Sequence, residues 1–266
     1  MEVLRYAAFT DDPAGGNPAG VVLDAAGASD EEMLRVAAEV GYSETAFVTG
    51  RKGGSDYQLR YFSPVAEVAF CGHATIATAV AMGQTGDVLF HTQSGPVAVN
   101  ANGGTATLTS VEPSTEALDV DTLLPALRWS RDDLDPAIPP RIAYAGVYHP
   151  IIAAASRERL RELDYDFDAL ADLMRARDWT TIQLVWREHE SMFHARDPFA
   201  IAGVVEDPAT GAAAAALGGY LRDLGLISAP ADFTILQGED MGRPSRLDVH
   251  VPVTGGIAVT GEAVPI

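Results

Sequence analysis

Cys71-Gly72-His73-Ala74-Thr75-Ile76-Ala77-Thr78-Ala79-Val80-Ala81-Met82 and Asp207-Pro208-Ala209-Thr210-Gly211-Ala212-Ala213-Ala214-Ala215-Ala216-Leu217 are the stretches on which the fold turns. Each predicts a helix, the first over 74–82, with small or apolar residues on every face. A surface helix carries one apolar stripe, whereas a helix apolar all round is enclosed. Short strand-like runs flank both, and Thr75 and Thr210 stand about half the chain length apart. The pattern predicts an α+β protein of two pseudo-symmetric lobes, each a curved, mostly antiparallel sheet wrapped around a central helix, rather than alternating βαβ units. Residues 1–115 form the N-terminal lobe, which the last strand, about 257–266, is placed to join. Residues 116–256 form the C-terminal lobe.

Working outward, strands are expected over 2–9, near 21–23, over 45–48 and 56–62, and around 86–110. Residues 11–18 read as a turn. Ser29-Asp30-Glu31-Glu32 has the form of a capping box, and the helix it opens should stop at Gly41. In the second half, strands are expected over 141–147 and 149–155, near 180–187 and 191–195, and again near 232–237, 246–251 and 256–260. A helix is expected over 167–177, where Leu170, Leu173 and Met174 keep helical spacing.

The 266 residues carry a formal net charge of −19 and 47% hydrophobic residues. That is an ordinary globular balance, but a surface this acidic lacks the basic footprint that nucleic acid requires and repels anionic lipid. No apolar run approaches a membrane span. The chain has one cysteine, Cys71, so neither an internal disulfide nor a cysteine-based structural zinc site is available. A reducing cytoplasm is the expected location.

An enclosed helix leaves its first backbone N–H groups without partners. A carboxylate there would satisfy them and gain from the helix dipole. If both helix starts face one cleft, a small anionic substrate fits it, with Gly72 and Gly211 letting the backbone come close. His73 sits at one start, as a ligand or as a structural histidine. Asp207 sits at the other, read as an N-cap before Pro208 at the first helical position, as a substrate contact, or as both. Glu44 falls where a helix gives way to a strand. It is either an exposed turn residue or a general acid/base whose pKa apolar neighbours raise. Cys71 is either a thiol base or a small core residue. His189 and His194 stand one residue too far apart for a His-Glu-x-x-His zinc motif. No other cluster has ligand spacing, so no metal is expected. Nucleotide-binding glycine loops and a nucleophile elbow are also missing from the sequence.

Seven segments in order carry a resemblance: Asn17-Pro18-Ala19-Gly20-Val21-Val22; Ser43-Glu44-Thr45-Ala46-Phe47-Val48; Arg60-Tyr61-Phe62-Ser63-Pro64 with Glu67; Cys71-Gly72-His73-Ala74-Thr75; Arg196; Glu206-Asp207-Pro208-Ala209-Thr210-Gly211; and Gln237-Gly238 with Met241-Gly242-Arg243-Pro244-Ser245. Over nearly the whole chain the sequence resembles the phenazine-biosynthesis PhzF-like isomerases, related in fold to diaminopimelate epimerase. The resemblance implies a cofactor-free site, a small carboxylate substrate and a homodimer. It implies that Glu44 moves a proton between substrate carbons while His73 and Asp207 hold the substrate and assist. It also implies substrate contacts from Asn17, Ser43, Gly72, Gly211 and Ala212. The family usually has serine where Ala212 stands, and the phenazine enzyme lacks a cysteine at the Cys71 place, so the substrate here is expected to differ. The related epimerases use two cysteines, and one thiol cannot run that chemistry. The competing readings are a one-thiol epimerase built on Cys71 and a non-catalytic small-molecule-binding protein of the same fold.

Overall fold

The computed structural model describes all 266 residues. The chain divides into two compact units, Met1–Thr109 with Thr260–Ile266, and Ser110–Val259.

The first unit begins with β1 (Leu4–Ala8), β2 (Asn17–Val22), α1 (Asp30–Val40), β3 (Glu44–Gly53) and β4 (Asp56–Phe62). It continues through β5 (Glu67–Val68), α2 (Gly72–Ala81), β6 (Thr85–Thr92), β7 (Gly95–Asn102) and β8 (Thr105–Thr109). Pairing runs β1–β2–β3–β4–β6–β7–β8, and the chain's terminal strand then bridges β8 back to β1. The ring is thus closed, which removes the exposed edges of an open sheet. Only the β2–β3 and β4–β6 pairs are parallel.

The centre of this ring is α2, packed against β1, β2, β3, β7 and β8. Every residue from His73 to Val80 is buried. The two buried threonines do not strand their hydroxyls. Thr75 donates to the Cys71 carbonyl at 2.6 Å and Thr78 to the Ala74 carbonyl at 2.7 Å. Such bonds to the preceding turn let a helix carry hydroxyls into an apolar interior.

Outside the ring, α1 starts as the sequence predicts. The Glu32 backbone N–H donates to Ser29 Oγ at 3.2 Å, and the Ser29 N–H donates to Glu32 Oε2 at 2.9 Å. Gly41 ends the helix with a left-handed φ of 73°. Met33, Val36 and Ala37 close over Val22, Phe47 and Phe62. Ser29→Ala is expected to lower stability by about 1 kcal/mol, with a range of roughly 0.5–2. Equilibrium denaturation checks this.

The second unit contains β9 (Ser114–Ala117), α3 (Val120–Leu127), β10 (Arg141–Tyr144), β11 (Tyr148–Ala153), α4 (Arg157–Arg161) and α5 (Phe167–Arg177). Next come β12 (Gln183–His189), β13 (Met192–Phe199), β14 (Val204–Asp207), α6 (Gly211–Asp223), β15 (Ala231–Gln237) and β16 (Ser245–Val251). The terminal strand, β17 (Ala258–Pro265), follows them. Pairing runs β9–β10–β11–β12–β13–β15–β16, with only β11–β12 and β13–β15 parallel. The segment 110–115 belongs here, because Ser114 and Thr115 pair with Tyr144 and Ala143. The central helix is α6, buried from Ala213 to Leu221 against β9, β10, β11 and β16. A separate apolar layer is built by Leu123 and Leu127 of α3, Leu170 and Met174 of α5, and Trp179. In neither unit is any helix long and apolar enough to cross a membrane.

Candidate active site

In the first unit, the start of β3 and the start of α2 bring three reactive side chains into contact. Glu44 is the first residue of β3, and Cys71 is the N-cap of α2. Glu44 Oε2 stands 3.5 Å from His73 Nε2 and accepts from Cys71 Sγ at 3.5 Å. Cys71 Sγ is 3.4 Å from His73 Nδ1 and 3.8 Å from its Nε2. Glu44 is therefore no exposed turn residue: its side chain keeps only 14% of its surface and that of His73 keeps 7%. Two further residues orient the imidazole. Asn17 Nδ2 lies 3.2 Å from Nδ1, and Ser43 Oγ lies 3.5 Å from Nε2. The sequence pattern puts Asn17 in a turn. It is instead the buried first residue of β2, opposite Ala8.

Burial raises the Glu44 carboxyl above its ordinary pKa, and hydrogen bonds from Ser43 and Cys71 partly oppose the rise. The result is a carboxyl able both to take and to give a proton closer to neutral pH than a solvated glutamate. The donor atoms of Glu44, Cys71 and His73 all lie within 4.8 Å of one another, so these three residues could hold a metal ion. The sequence shows no such cluster because the ring of strands, not local spacing, assembles it.

No side chain caps α2. Gly72 opens it, with nothing nearer than 4.0 Å to where a Cβ would stand. Packing therefore does not explain glycine there.

In the second unit, the expectation that Asp207 caps the second helix is corrected. Asp207 ends β14, Pro208 precedes the helix, and the N-cap of α6 is Thr210, with Gly211 the first helical residue. The Asp207 carboxylate instead accepts from Thr210 Oγ1 at 2.7 Å. Gln237 ties this corner together. Its amide donates to the Asp207 carbonyl at 2.8 Å, and its oxygen accepts from the Thr210 N–H at 3.1 Å. Gly238 follows in a left-handed conformation, φ 76°, where a Cβ would run into the carbonyl oxygens of Arg243 and Pro208. No side chain caps α6 either, so Gly211 and Ala212 present the start of a buried helix.

Sequence reasoning gives no role to Gln237, Arg196 or Asp197. Arg196 grips Glu206 through Nε at 2.9 Å and through a second, shorter bond from Nη2, and both residues are buried. The Gln237-Gly238 pair and the Arg196–Glu206 spacing are visible signals. Nothing in the sequence marks Asp197.

Asp197 lies opposite Asp207 in the β13–β14 pair and is fully buried. Its Oδ2 accepts from Thr181 at 3.2 Å, and Thr181 Oγ1 is 2.9 Å from His149 Nδ1. Burial, then the facing Asp207 charge, holds the Asp197 carboxyl well above the usual range. Burial pushes His149 down to about 3, so it stays neutral at ordinary pH. A raised carboxyl favours the fold while it is protonated, and the folded state gives this up as pH climbs from the unfolded pKa through the folded one. Taken alone, the Asp197 carboxyl should therefore lower stability with rising pH above about 4, by up to about 1.4 kcal/mol per pH unit, while His149, held neutral by burial, acts in the opposite direction below about pH 6.5. The difference between wild type and Asp197→Asn isolates the carboxyl: wild type should lose stability relative to the variant as pH rises. Denaturation midpoints of both proteins across pH 4–8, an interval set by the ordinary carboxylate pKa of about 4, check this.

A surface depression of about 410 Å³ in the first unit is lined by Gln58, Arg60, Glu67 and His91, among others. None of the residues above lines it. Its Arg60 and Glu67 neutralise each other through two 2.7 Å bonds.

The comparison with known proteins decides the family. The profile of the PhzC-PhzF family, described as phenazine biosynthesis-like protein, matches residues 6–266. This chain belongs to the PhzF-like family. The trans-2,3-dihydro-3-hydroxyanthranilate isomerase of Pseudomonas fluorescens is 34% identical to it over 251 residues, covering 90% of this chain and 86% of that protein. An uncharacterised isomerase of Bacillus subtilis is 31% identical over 286 residues, covering 99% and 96%. The crystal structure of a PhzF-family protein from Bacillus anthracis superposes with a TM-score of 0.89 at 26% identity, covering 100% of this chain and 98% of that one. This PhzF-like protein shares their fold, and it is an isomerase.

Proposed function

We propose that the protein is a cofactor-independent isomerase that moves a proton between two carbons of a small carboxylate, with Glu44 as the single acid/base. The observation that carries this reading is the largely buried Glu44 carboxyl, raised by burial and in contact with His73. In the carboxylate form, Glu44 takes a proton from a carbon made acidic by a neighbouring unsaturated group. The electron pair of the broken C–H bond delocalises into that unsaturated group, and the same proton returns to a second carbon, leaving Glu44 a carboxylate again. His73 and Asp207 hold the substrate, and His73 opposes the negative charge that develops. The uncapped starts of α2 at Gly72 and α6 at Gly211–Ala212 offer backbone N–H groups of the kind that bind carboxylates. Asn17 and Ser43 orient His73. The reading includes a homodimer in a reducing cytoplasm.

The thiol reading is weaker on geometric grounds. Two bases that racemise one carbon must flank it, each about 3–3.5 Å away, and so stand roughly 6–7 Å apart. Glu44 and Cys71 touch each other at 3.5 Å. Cys71→Ser keeps a donor towards Glu44, and its loss of turnover should stay well below the ~10²-fold of a missing general base. A one-thiol epimerase would instead lose activity outright. Product analysis with trans-2,3-dihydro-3-hydroxyanthranilate and related cyclic and acyclic amino and hydroxy acids, run on wild type and Cys71→Ser, separates the two.

A further inference from the structure

We infer that Glu44, Cys71 and His73 form a binding site for a borderline-soft divalent cation, with Zn²⁺ as the best-fitting ion. Four-coordinate zinc, with Zn–S of about 2.3 Å and Zn–N and Zn–O of about 2.0–2.2 Å, sets its ligand atoms about 3.3–3.6 Å apart. The three edges here are 3.5 Å for Sγ–Oε2, 3.5 Å for Nε2–Oε2 and 3.8 Å for Sγ–Nε2. An ion therefore seats among these atoms with shifts of a few tenths of an ångström. A thiolate, an imidazole and a carboxylate suit zinc or cobalt(II) far better than magnesium or calcium, which take oxygen ligands. Three protein ligands is the number found in zinc sites that leave the fourth position to water.

The surroundings also fit. A histidine that binds a metal through one ring nitrogen usually donates from the other to a fixed partner. The Asn17 amide lies 3.2 Å from His73 Nδ1. Turned by 180°, it presents its oxygen to an Nδ1–H and leaves the Nε2 lone pair to the ion. Cys71 and His73 are buried, and backbone already fixes both at the start of an enclosed helix.

Binding needs the thiolate, so the Cys71 proton leaves as the ion enters, with a second proton wherever Glu44 is protonated. The consequence for activity rests on the reading of Glu44 as the base. A carboxylate bound to the cation through Oε2 is a far weaker base, and the ion stands where the substrate proton would be taken, so the loaded enzyme is silent and a chelator revives it.

The test uses the full chain stripped of metal. Zn²⁺ is titrated against a chromophoric chelator with proton release followed, and Co²⁺ is titrated by its visible and thiolate charge-transfer absorption. One ion per chain, proton release and a four-coordinate thiolate cobalt spectrum are expected. Cys71→Ala and His73→Ala should each weaken binding by at least about a hundredfold, the upper end of what loss of a mere supporting contact costs. Circular dichroism confirms that each variant is folded. The competing place for an adventitious ion is the largely buried His194, which meets Glu188 at one ring nitrogen and Glu239 at the other. Zinc affinity that survives Cys71→Ala and falls in His194→Ala would overturn the inference, as would a wild type that never draws zinc from the chelator. None of these readings uses turnover, so the failure of this site and the failure of the isomerase reading are separate results.

Discussion

Glu44→Gln is expected to lower turnover by about 10²–10⁴-fold while leaving the protein at least as stable as wild type. The two halves of that expectation have one cause. Glu44 is largely buried, and burial raises its pKa. Raised above its unfolded value, the carboxyl favours folding only while protonated, and that contribution is lost as pH rises through the folded pKa. Wherever Glu44 is ionised, the wild type therefore keeps a carboxylate where an amide would sit more easily. Glutamine has the same shape and removes the burden, but it cannot take a proton. The pH profile follows from the same residue. The acid limb of kcat/KM should rise as Glu44 ionises, at a pH above the ordinary carboxylate value of about 4.3. Thermal unfolding and kcat/KM measured on the same two preparations check both halves.

Arg196→Ala is expected to cost about 3–5 kcal/mol, several times the loss at the Ser29 cap. The guanidinium and the Glu206 carboxylate face each other on β13 and β14, with side chains 10% and 5% exposed. A third bond runs from Arg196 Nη1 to the Arg161 carbonyl at 2.6 Å. Truncation leaves Glu206 buried without its counter-charge, beside Asp207 and Asp197. Removing both charges is a different matter. Arg196→Met with Glu206→Leu keeps the volume and should lose far less, because the desolvation of the pair disappears with the pair. Urea denaturation of the single and double variants distinguishes the two cases.

Local chemistry is readable in the sequence where local chemistry decides. The capping box at Ser29 and Glu32, the stop at Gly41 and the α5 helix over 167–177 all need only neighbours in sequence. The two enclosed helices are also visible, because composition alone shows that no face of either can meet water. Features set by distant partners are not. No helix is expected over 120–127, and Pro125 does sit inside α3. Its buried leucines against α5, and Asp119 accepting from the Asp121 N–H, hold it all the same. Local pattern places Asp207 one element too late. Its pairing with Asp197 keeps it in a strand, and the Gln237 side chain occupies the role a cap would have had towards Thr210. The contact of Glu44 with Cys71 and His73 depends on β3 and α2 meeting inside a closed ring, which no window of sequence contains.

The most direct measurement of the central claim is proton NMR in D₂O on a small carboxylate panel that includes trans-2,3-dihydro-3-hydroxyanthranilate, with wild type and Glu44→Gln side by side. The account predicts that wild type alone removes a carbon-bound proton signal or produces an isomer, and that Glu44→Gln leaves the substrate unchanged. Equal exchange by Glu44→Gln, or stoichiometric binding by wild type with no exchange at all, would contradict it.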